Sequence, residues 1–179
     1  MVEKVKKTPQ KQVFSGARQG ALDILHQLFR HPEDSTPLPV LLSRAVQASC
    51  LGERDAALLS ELVYGVVRRH ALLDEALADF LKKPDALSFQ VRMLLRLGVY
   101  EILFMDGIPA RATVNELVNL ARRRFGQGLG GLVNGVLRSV DRESARLLSA
   151  VRKKEESLGS ASLDAEALAQ AASLPLWLT

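Results

Sequence analysis

The sequence predicts an all-α protein, a bundle of about seven helices, and three observations carry that prediction. Apolar residues recur at the three- and four-residue spacing of a buried helix face along the whole chain. No stretch alternates apolar and polar residues as a half-buried strand does, and no hairpin dipeptide stands between β-branched runs. The 179 residues are 47% apolar and only 5% aromatic, so the core must be aliphatic, chiefly Leu, Val and Ala. A chain of this length buries roughly two-thirds of its unfolded surface, enough for one domain with appendages.

Residues 1–14 read as a basic arm, and Ser15 as the N-cap of a first helix from Gly16 to Arg30 with Ala21, Leu22, Leu25, Leu28 and Phe29 inward. Pro32 to Pro39 is a loop, and Pro37 and Pro39 start a second helix that runs to about Gln47. A third helix from Glu53 to about Arg69 buries Leu59, Leu62, Val63, Val66 and Val67. The same pattern continues through Leu73, Leu77, Phe80 and Leu81 as a fourth helix after a bend near His70. Ser88 caps the fifth, in which Val91, Leu94, Leu95, Leu97, Val99, Ile102, Leu103 and Phe104 leave no wide polar face. Such a helix belongs at the centre of a bundle.

Gly107 ends it, and Pro109 opens a sixth helix with Val114, Leu117, Val118, Ala121 and Phe125 on one stripe and Asn115, Asn119 and Arg122 on the other. Gly126 to Gly131 reads as a flexible interhelix turn before a seventh helix carrying Leu132, Val133, Val136, Leu137 and Val140. After about Ser144 the pattern loosens into charge and Ala/Ser, with one short helical stretch near Leu163–Ala172. Residues 143–179 are therefore expected to be a linker. The ending Pro175-Leu176-Trp177-Leu178 is abrupt, and the chain is expected to be a fragment.

Composition narrows the chemistry. One cysteine, Cys50, rules out an intramolecular disulfide and any multi-cysteine metal site, and Cys50 has no basic neighbour in sequence to activate it. A buried or idle thiol is expected. His26, His31 and His70 lack metal-ligand spacing and are expected to be structural or solvated, so no metal site is assigned. No secretory leader is visible. The longest apolar segment, Phe89 to Met105, is interrupted by Arg92, Arg96 and Glu101, so a membrane partner is not expected and a cytoplasmic location is. Asp74 and Glu75 are placed on a charged helix face. No nucleophile, base and oxyanion donors come together, so these residues are expected to be non-catalytic, with no cofactor of their own.

Charge is the remaining signal. Lys4, Lys6, Lys7 and Lys11 against Glu3 put +3 of the net +4 into residues 1–12. An arm of that kind leading into a helix N-terminus, with Lys11 and Arg18 flanking the start, makes an anion site when it is more than a solubilising tail. Arg122, Arg123 and Arg124 close the sixth helix, and Arg68 and Arg69 the third. Each set reads either as helix C-terminal charge favoured by the macrodipole, or a solvated face, or as forks for RNA phosphate. The Gly126 to Gly131 run follows a helix rather than a strand and has no closing Lys-Ser or Lys-Thr, so a phosphate-cradle reading is weaker than a turn.

Three stretches together carry a resemblance: Glu61-Leu62-Val63-Tyr64-Gly65-Val66-Val67-Arg68; Leu94-Leu95-Arg96-Leu97-Gly98-Val99-Tyr100-Glu101-Ile102-Leu103-Phe104; and Ile108-Pro109-Ala110 with Val114-Asn115-Glu116-Leu117-Val118, answered by Gly131-Leu132-Val133-Asn134-Gly135-Val136-Leu137-Arg138. Over roughly residues 15–142 these resemble the NusB-type all-helical RNA-binding fold. Within it the chain looks more like the N-terminal RNA-binding domain of the Sun/RsmB (NOL/NOP/Sun) rRNA cytosine-5 methyltransferases. Leu-Gly-Val-Tyr-Glu-Ile-Leu-Phe followed by Ile-Pro-Ala, and the Val-Leu-Arg ending, favour that group.

The resemblance implies RNA, small-subunit rRNA in particular, as partner. It also implies S-adenosylmethionine and a catalytic cysteine pair in a methyltransferase domain beyond residue 179, which this domain would contact. On that resemblance, methyl transfer there would proceed through a cysteine adduct at carbon 6 of the base. RNA contacts in this fold map onto Lys11 and Arg18, and Asn115 and Asn134 are expected to hydrogen-bond helix ends or loops. The alternative is a stand-alone factor of transcription antitermination or ribosome biogenesis, which would need a ribosomal-protein partner. A third reading, a protein-interaction module with solvated arginines, predicts no salt-sensitive RNA affinity.

Overall fold

A computed structural model describes residues 16–31, 36–82 and 86–158. All regular structure among them is helical: α1 (Ala17–Arg30), α2 (Leu38–Ser49), α3 (Glu53–Ala78), α4 (Phe89–Phe104), α5 (Ala110–Phe125), α6 (Gln127–Arg142) and α7 (Ser144–Leu158). The all-α bundle expected from the periodicity is the observed fold.

Helix α4 is its axis. It contacts α1, α3, α5, α6 and α7, and eleven of its residues are buried, Leu94, Leu95, Leu97 and Val99 completely. Each such aliphatic side chain stabilises the fold by about 1.5–3 kcal/mol relative to exposure. Ser88 caps the helix as expected, its Oγ accepting from the Val91 N–H at 3.4 Å. The neighbours come close because two positions lack a Cβ. A Cβ on Gly65 of α3 would stand 1.9 Å from Tyr100 Cζ, and one on Gly98 would stand 2.6 Å from Leu137 Cδ2.

Four local expectations need correction. The first helix starts one residue later, with Gly16 rather than Ser15 at the N-cap position (φ 84°) and no side-chain cap. No bend occurs at His70: α3 runs unbroken for 26 residues, about 39 Å. The polar run Arg68-Arg69-His70 is absorbed because His70 tilts against the Phe29 ring (5.5 Å between centroids) and Arg69 lies over Phe104.

The glycine-rich run is not a flexible turn. Gly126 alone makes the reversal (φ 96°, ψ 165°), a backbone state that residues with a Cβ rarely adopt, and α6 begins at the next residue. Each helical glycine weakens a helix by about 1 kcal/mol relative to Ala. Packing overrides that cost here, because α6's first turn lies against Arg122 and a Cβ on Gly130 would be 2.4 Å from Arg122 Cγ.

Finally, the helical pattern does not loosen at once after Ser144. Residues 144–158 form α7, whose Leu147 and Val151 are buried against α3, α4 and α6. Its charges are spent on α3: Arg146 meets Asp79 at 3.0 Å, Lys154 meets Glu75 at 2.5 Å, and Glu155 meets Arg69 at 2.8 Å. The stretch Leu163–Ala172 and the Pro175–Leu178 ending lie outside the described residues.

Candidate nucleic-acid interface

The sequence places its clearest anion signal where α1 begins, and the structure puts two adjoining hollows there. The smaller, about 140 Å³, is lined by the first turn of α1 (Gly16 to Gln19) with Asp55, Leu58, Glu116, Leu120 and Arg123. The larger, about 760 Å³, runs on past Arg18, Arg54 and Glu61 over an apolar floor of Leu58, Phe104, Met105, Ile108 and Pro109. The N–H groups of α1's first turn have no side-chain cap, so the positive end of the helix dipole faces the smaller hollow. Arg123 is exposed at its rim with no carboxylate partner among the described residues.

Of the other nominated cations, Lys11 lies outside the described residues. Arg18 reaches inward: its Nε donates to Glu101 Oε2 at 3.0 Å, and its second nitrogen pairs with Oε1. Glu101 is completely buried on α4 and also accepts from the Thr113 hydroxyl at 2.7 Å. Arg18 therefore lines both hollows with its charge already compensated. The three consecutive arginines of α5 point in three directions, as the roughly 100° turn per residue of a helix requires. Arg122 folds over Gly130, Arg123 faces the α1 end, and Arg124 forms an ion pair with the buried Asp23 of α1.

Arg68 and Arg69 sit mid-helix on α3, away from the hollows. Arg68 is exposed, whereas Arg69 donates from Nε to Glu155 at 2.8 Å and stacks 4.6 Å from the Phe104 centroid. The carboxylates read as a solvated pair part company: Asp74 holds the buried Arg96 of α4 in a two-pronged contact (2.8 and 2.5 Å), and Glu75 binds Lys154.

Burial, above all, lowers the pKa of His26 and His70 below the ordinary 6.5; the charges of His31 and Arg124 add to it at His26, while at His70 the Val67 carbonyl, 3.1 Å from Nδ1, works against it. Tyr100 is pushed up to about 12 by burial and by its hydroxyl's bond to Glu61 at 2.5 Å. Cys50 is exposed rather than buried, in a left-handed conformation at the end of α2 (φ 48°), with its Sγ 3.9 Å from the Gln47 carbonyl. Among the described residues no group of acidic, His and Cys side chains could hold a metal, and no helix is long and apolar enough to cross a membrane.

Sequence reasoning missed two sets of residues. Glu101 read only as an interruption of an apolar run; a lone acid in an otherwise apolar helix is the signal for a buried ionic anchor. Toward the N-terminal end of α5, Arg111, Val114 and Asn115 face Arg138, Asp141 and Arg142 of α6 across a groove of about 450 Å³. The signal was the matching i, i+3, i+4 spacing on two antiparallel helices. Asn134 does not tie down a helix end as expected; its Oδ1 accepts from Arg138 Nε at 3.0 Å. Asn115 is exposed along the same groove.

Fold and surface together define a class, an all-α bundle around one apolar axial helix with arginines set at helix ends. The model of the NusB family matches residues 15–142, and the chain belongs to that family. It is 34% identical over 137 residues to the probable ribosomal RNA small subunit methyltransferase B of Bacillus subtilis, covering 76% of this chain and 30% of that protein. With the ribosomal RNA small subunit methyltransferase B of Thermus thermophilus it shares 48% identity over 99 residues, 55% of this chain and 24% of the other. With the transcription antitermination protein NusB of Bacillus velezensis it shares 35% over 126 residues, 69% of this chain and 92% of the other. The solved structure of T. maritima NusB superposes with a TM-score of 0.58 at 25% identity, over 78% of this chain and 95% of that one. The chain thus spans less than a third of the length of the methyltransferase relatives.

Proposed function

We propose that these residues are the RNA-positioning N-terminal domain of an S-adenosylmethionine-dependent rRNA cytosine-5 methyltransferase, with small-subunit rRNA as its partner. The observation that carries this reading is the likeness to two small subunit rRNA methyltransferases over only 30% and 24% of their lengths, as a domain within a larger protein would give. The described residues do not themselves fit S-adenosylmethionine bound, as the family resemblance implies, on a Rossmann-like sheet; all regular structure among them is helical and the chain's only cysteine is Cys50. No chemical step is assigned to them. On this reading cofactor and cysteine pair belong to the rest of the longer protein. The domain's part is to grip rRNA with Arg123, the open first turn of α1 and the preceding Lys11.

Fluorescence anisotropy of the 179-residue chain with labelled small-subunit rRNA fragments at 50 and 200 mM salt tests it. Binding that prefers particular fragments and weakens with salt is expected, and Arg123→Gln should flatten the salt slope by about 0.7–0.9. Absence of binding at 50 mM salt overturns it.

A second reading, a stand-alone antitermination or ribosome-biogenesis factor, is favoured by the match to 92% of the B. velezensis NusB. It expects RNA affinity to appear only with a ribosomal-protein partner added.

A further inference from the structure

The structure assigns a second RNA contact, toward the other end of α5 from Arg123: we infer that the α5–α6 groove of Arg111, Asn115, Arg138 and Arg142 binds the phosphates of an RNA strand. The inference deepens the RNA-binding reading and rests on it.

Charge compensation singles this groove out. Five other guanidiniums are answered by carboxylates, Arg18 by Glu101, Arg69 by Glu155, Arg96 by Asp74, Arg124 by Asp23 and Arg146 by Asp79, whereas Arg123, like the groove arginines, is not. In the groove the partners are neutral. Arg138 donates to the Asn134 amide oxygen at 3.0 Å, and Arg142 to the Ser139 hydroxyl at 2.8 Å. Arg111 has no ion pair among the described residues.

Asp141 is the single acid lining the groove, which keeps a surplus of two positive charges in a concave space of about 450 Å³. Concavity between low-dielectric walls focuses such a field, and guanidinium forks match phosphate oxygens two at a time. The bond from Asn134 uses the Arg138 Nε and holds that side chain in one pose, leaving its terminal nitrogens for a ligand. Asn115, exposed beside them, offers an amide that can both donate to and accept from a ribose 2′-hydroxyl or a base edge. A protein carboxylate would answer the same charges, but three arginines without carboxylate partners, Arg138 and Arg142 one turn apart on α6 and Arg111 across from them on α5, fit a chain of spaced anions better than a single one.

The test is anisotropy of the 179-residue chain with the same labelled rRNA fragments at 50 and 200 mM salt, for wild type, Arg138→Gln/Arg142→Gln and Asp141→Asn. Each phosphate of single-stranded RNA that a cation no longer neutralises lowers the salt slope by about 0.7, so the double variant should lose about sevenfold less affinity than wild type between the two salts. Asp141→Asn removes the one opposing charge and should tighten binding about two- to threefold at 50 mM salt, a gain that no unfolding produces. Unchanged thermal midpoints confirm that the exposed substitutions leave the fold intact. If wild type and the double variant bind with equal affinity and slope while Arg123→Gln weakens binding, the groove inference fails alone and the groove is left to a protein partner. If wild type binds no RNA at 50 mM salt, the RNA reading and the groove fall together.

Discussion

Arg18 decides between two uses of one cation. It stands at the start of α1, where RNA contact is expected, yet its guanidinium is committed to Glu101, a carboxylate with no exposure to water. Truncation in Arg18→Ala leaves that buried charge with the Thr113 hydroxyl as its remaining donor. Removing one partner of a buried pair destabilises by about 3–5 kcal/mol. The Arg18 side chain keeps 20% of its surface open, so water can enter behind it and the lower end, about 3 kcal/mol, is expected.

Against a total stability of about 5–15 kcal/mol that is a large fraction. At this chain length it lowers Tm by about 6–12 °C. Glu101→Gln keeps the shape but replaces one accepting oxygen by an amide N–H that faces a guanidinium N–H, so Arg18 loses one of its two bonds along with the opposing charge, at a cost of about 1–3 kcal/mol. Urea unfolding of both single variants and the double Arg18→Ala/Glu101→Gln supplies the assay. The double should lie well below the sum of the singles, because the neutral Gln no longer needs the missing guanidinium. A loss under 1 kcal/mol for Arg18→Ala, together with a flattened RNA salt slope, would refute the reasoning and return Arg18 to the phosphate.

Gly65→Ala places a methyl 1.9 Å from the end of the Tyr100 ring; the ring must give up its seat on α3 and its bond to Glu61 or the helices must part, and a loss of about 1–3 kcal/mol with a matching fall in Tm is expected from calorimetry. Ser88→Ala removes the α4 cap and should lower stability by about 1 kcal/mol in urea titrations. His70 has a folded pKa below 6.5, so the unfolded chain takes up the proton first. Its contribution is complete above about pH 6.5 and is lost as pH falls through the lowered folded value. Unfolding midpoints should therefore decline from pH 7 to pH 5, and His70→Gln should shallow that decline; an identical slope in the variant counts against it.

The axis of the fold was legible because α4 is apolar nearly all round, and no other place in a small bundle tolerates such a helix. The corrections share a cause: each local signal competed with packing that only the assembled bundle supplies. His70 reads as a break until Phe29 stands beside it, and Gly128, Gly130 and Gly131 read as a turn until Arg122 packs against the α6 first turn at Gly130. Helix α7 escaped because two buried residues, Leu147 and Val151, make a stripe too narrow to stand out from the surrounding charge. The interface was half legible. Sequence identified which arginines exist at helix ends, but whether a guanidinium is spent or available depends on carboxylates far along the chain, such as Glu101, 83 residues from Arg18.

The fastening of α7 has a consequence for motion. Buried Leu147 and Val151 with half-buried Leu148 are a narrow apolar hold for a 15-residue helix, and three ionic contacts at partly or largely exposed sites along α3 add to it. Ions screen exposed contacts of this kind over about 10 Å at 0.1 M salt, while the aliphatic axis is indifferent to them. Ionic strength therefore acts on this molecule as a selective clutch. Raising it is expected to loosen α7 before the other six helices, and hydrogen–deuterium exchange at low and high salt checks whether the α7 amides exchange ahead of the rest.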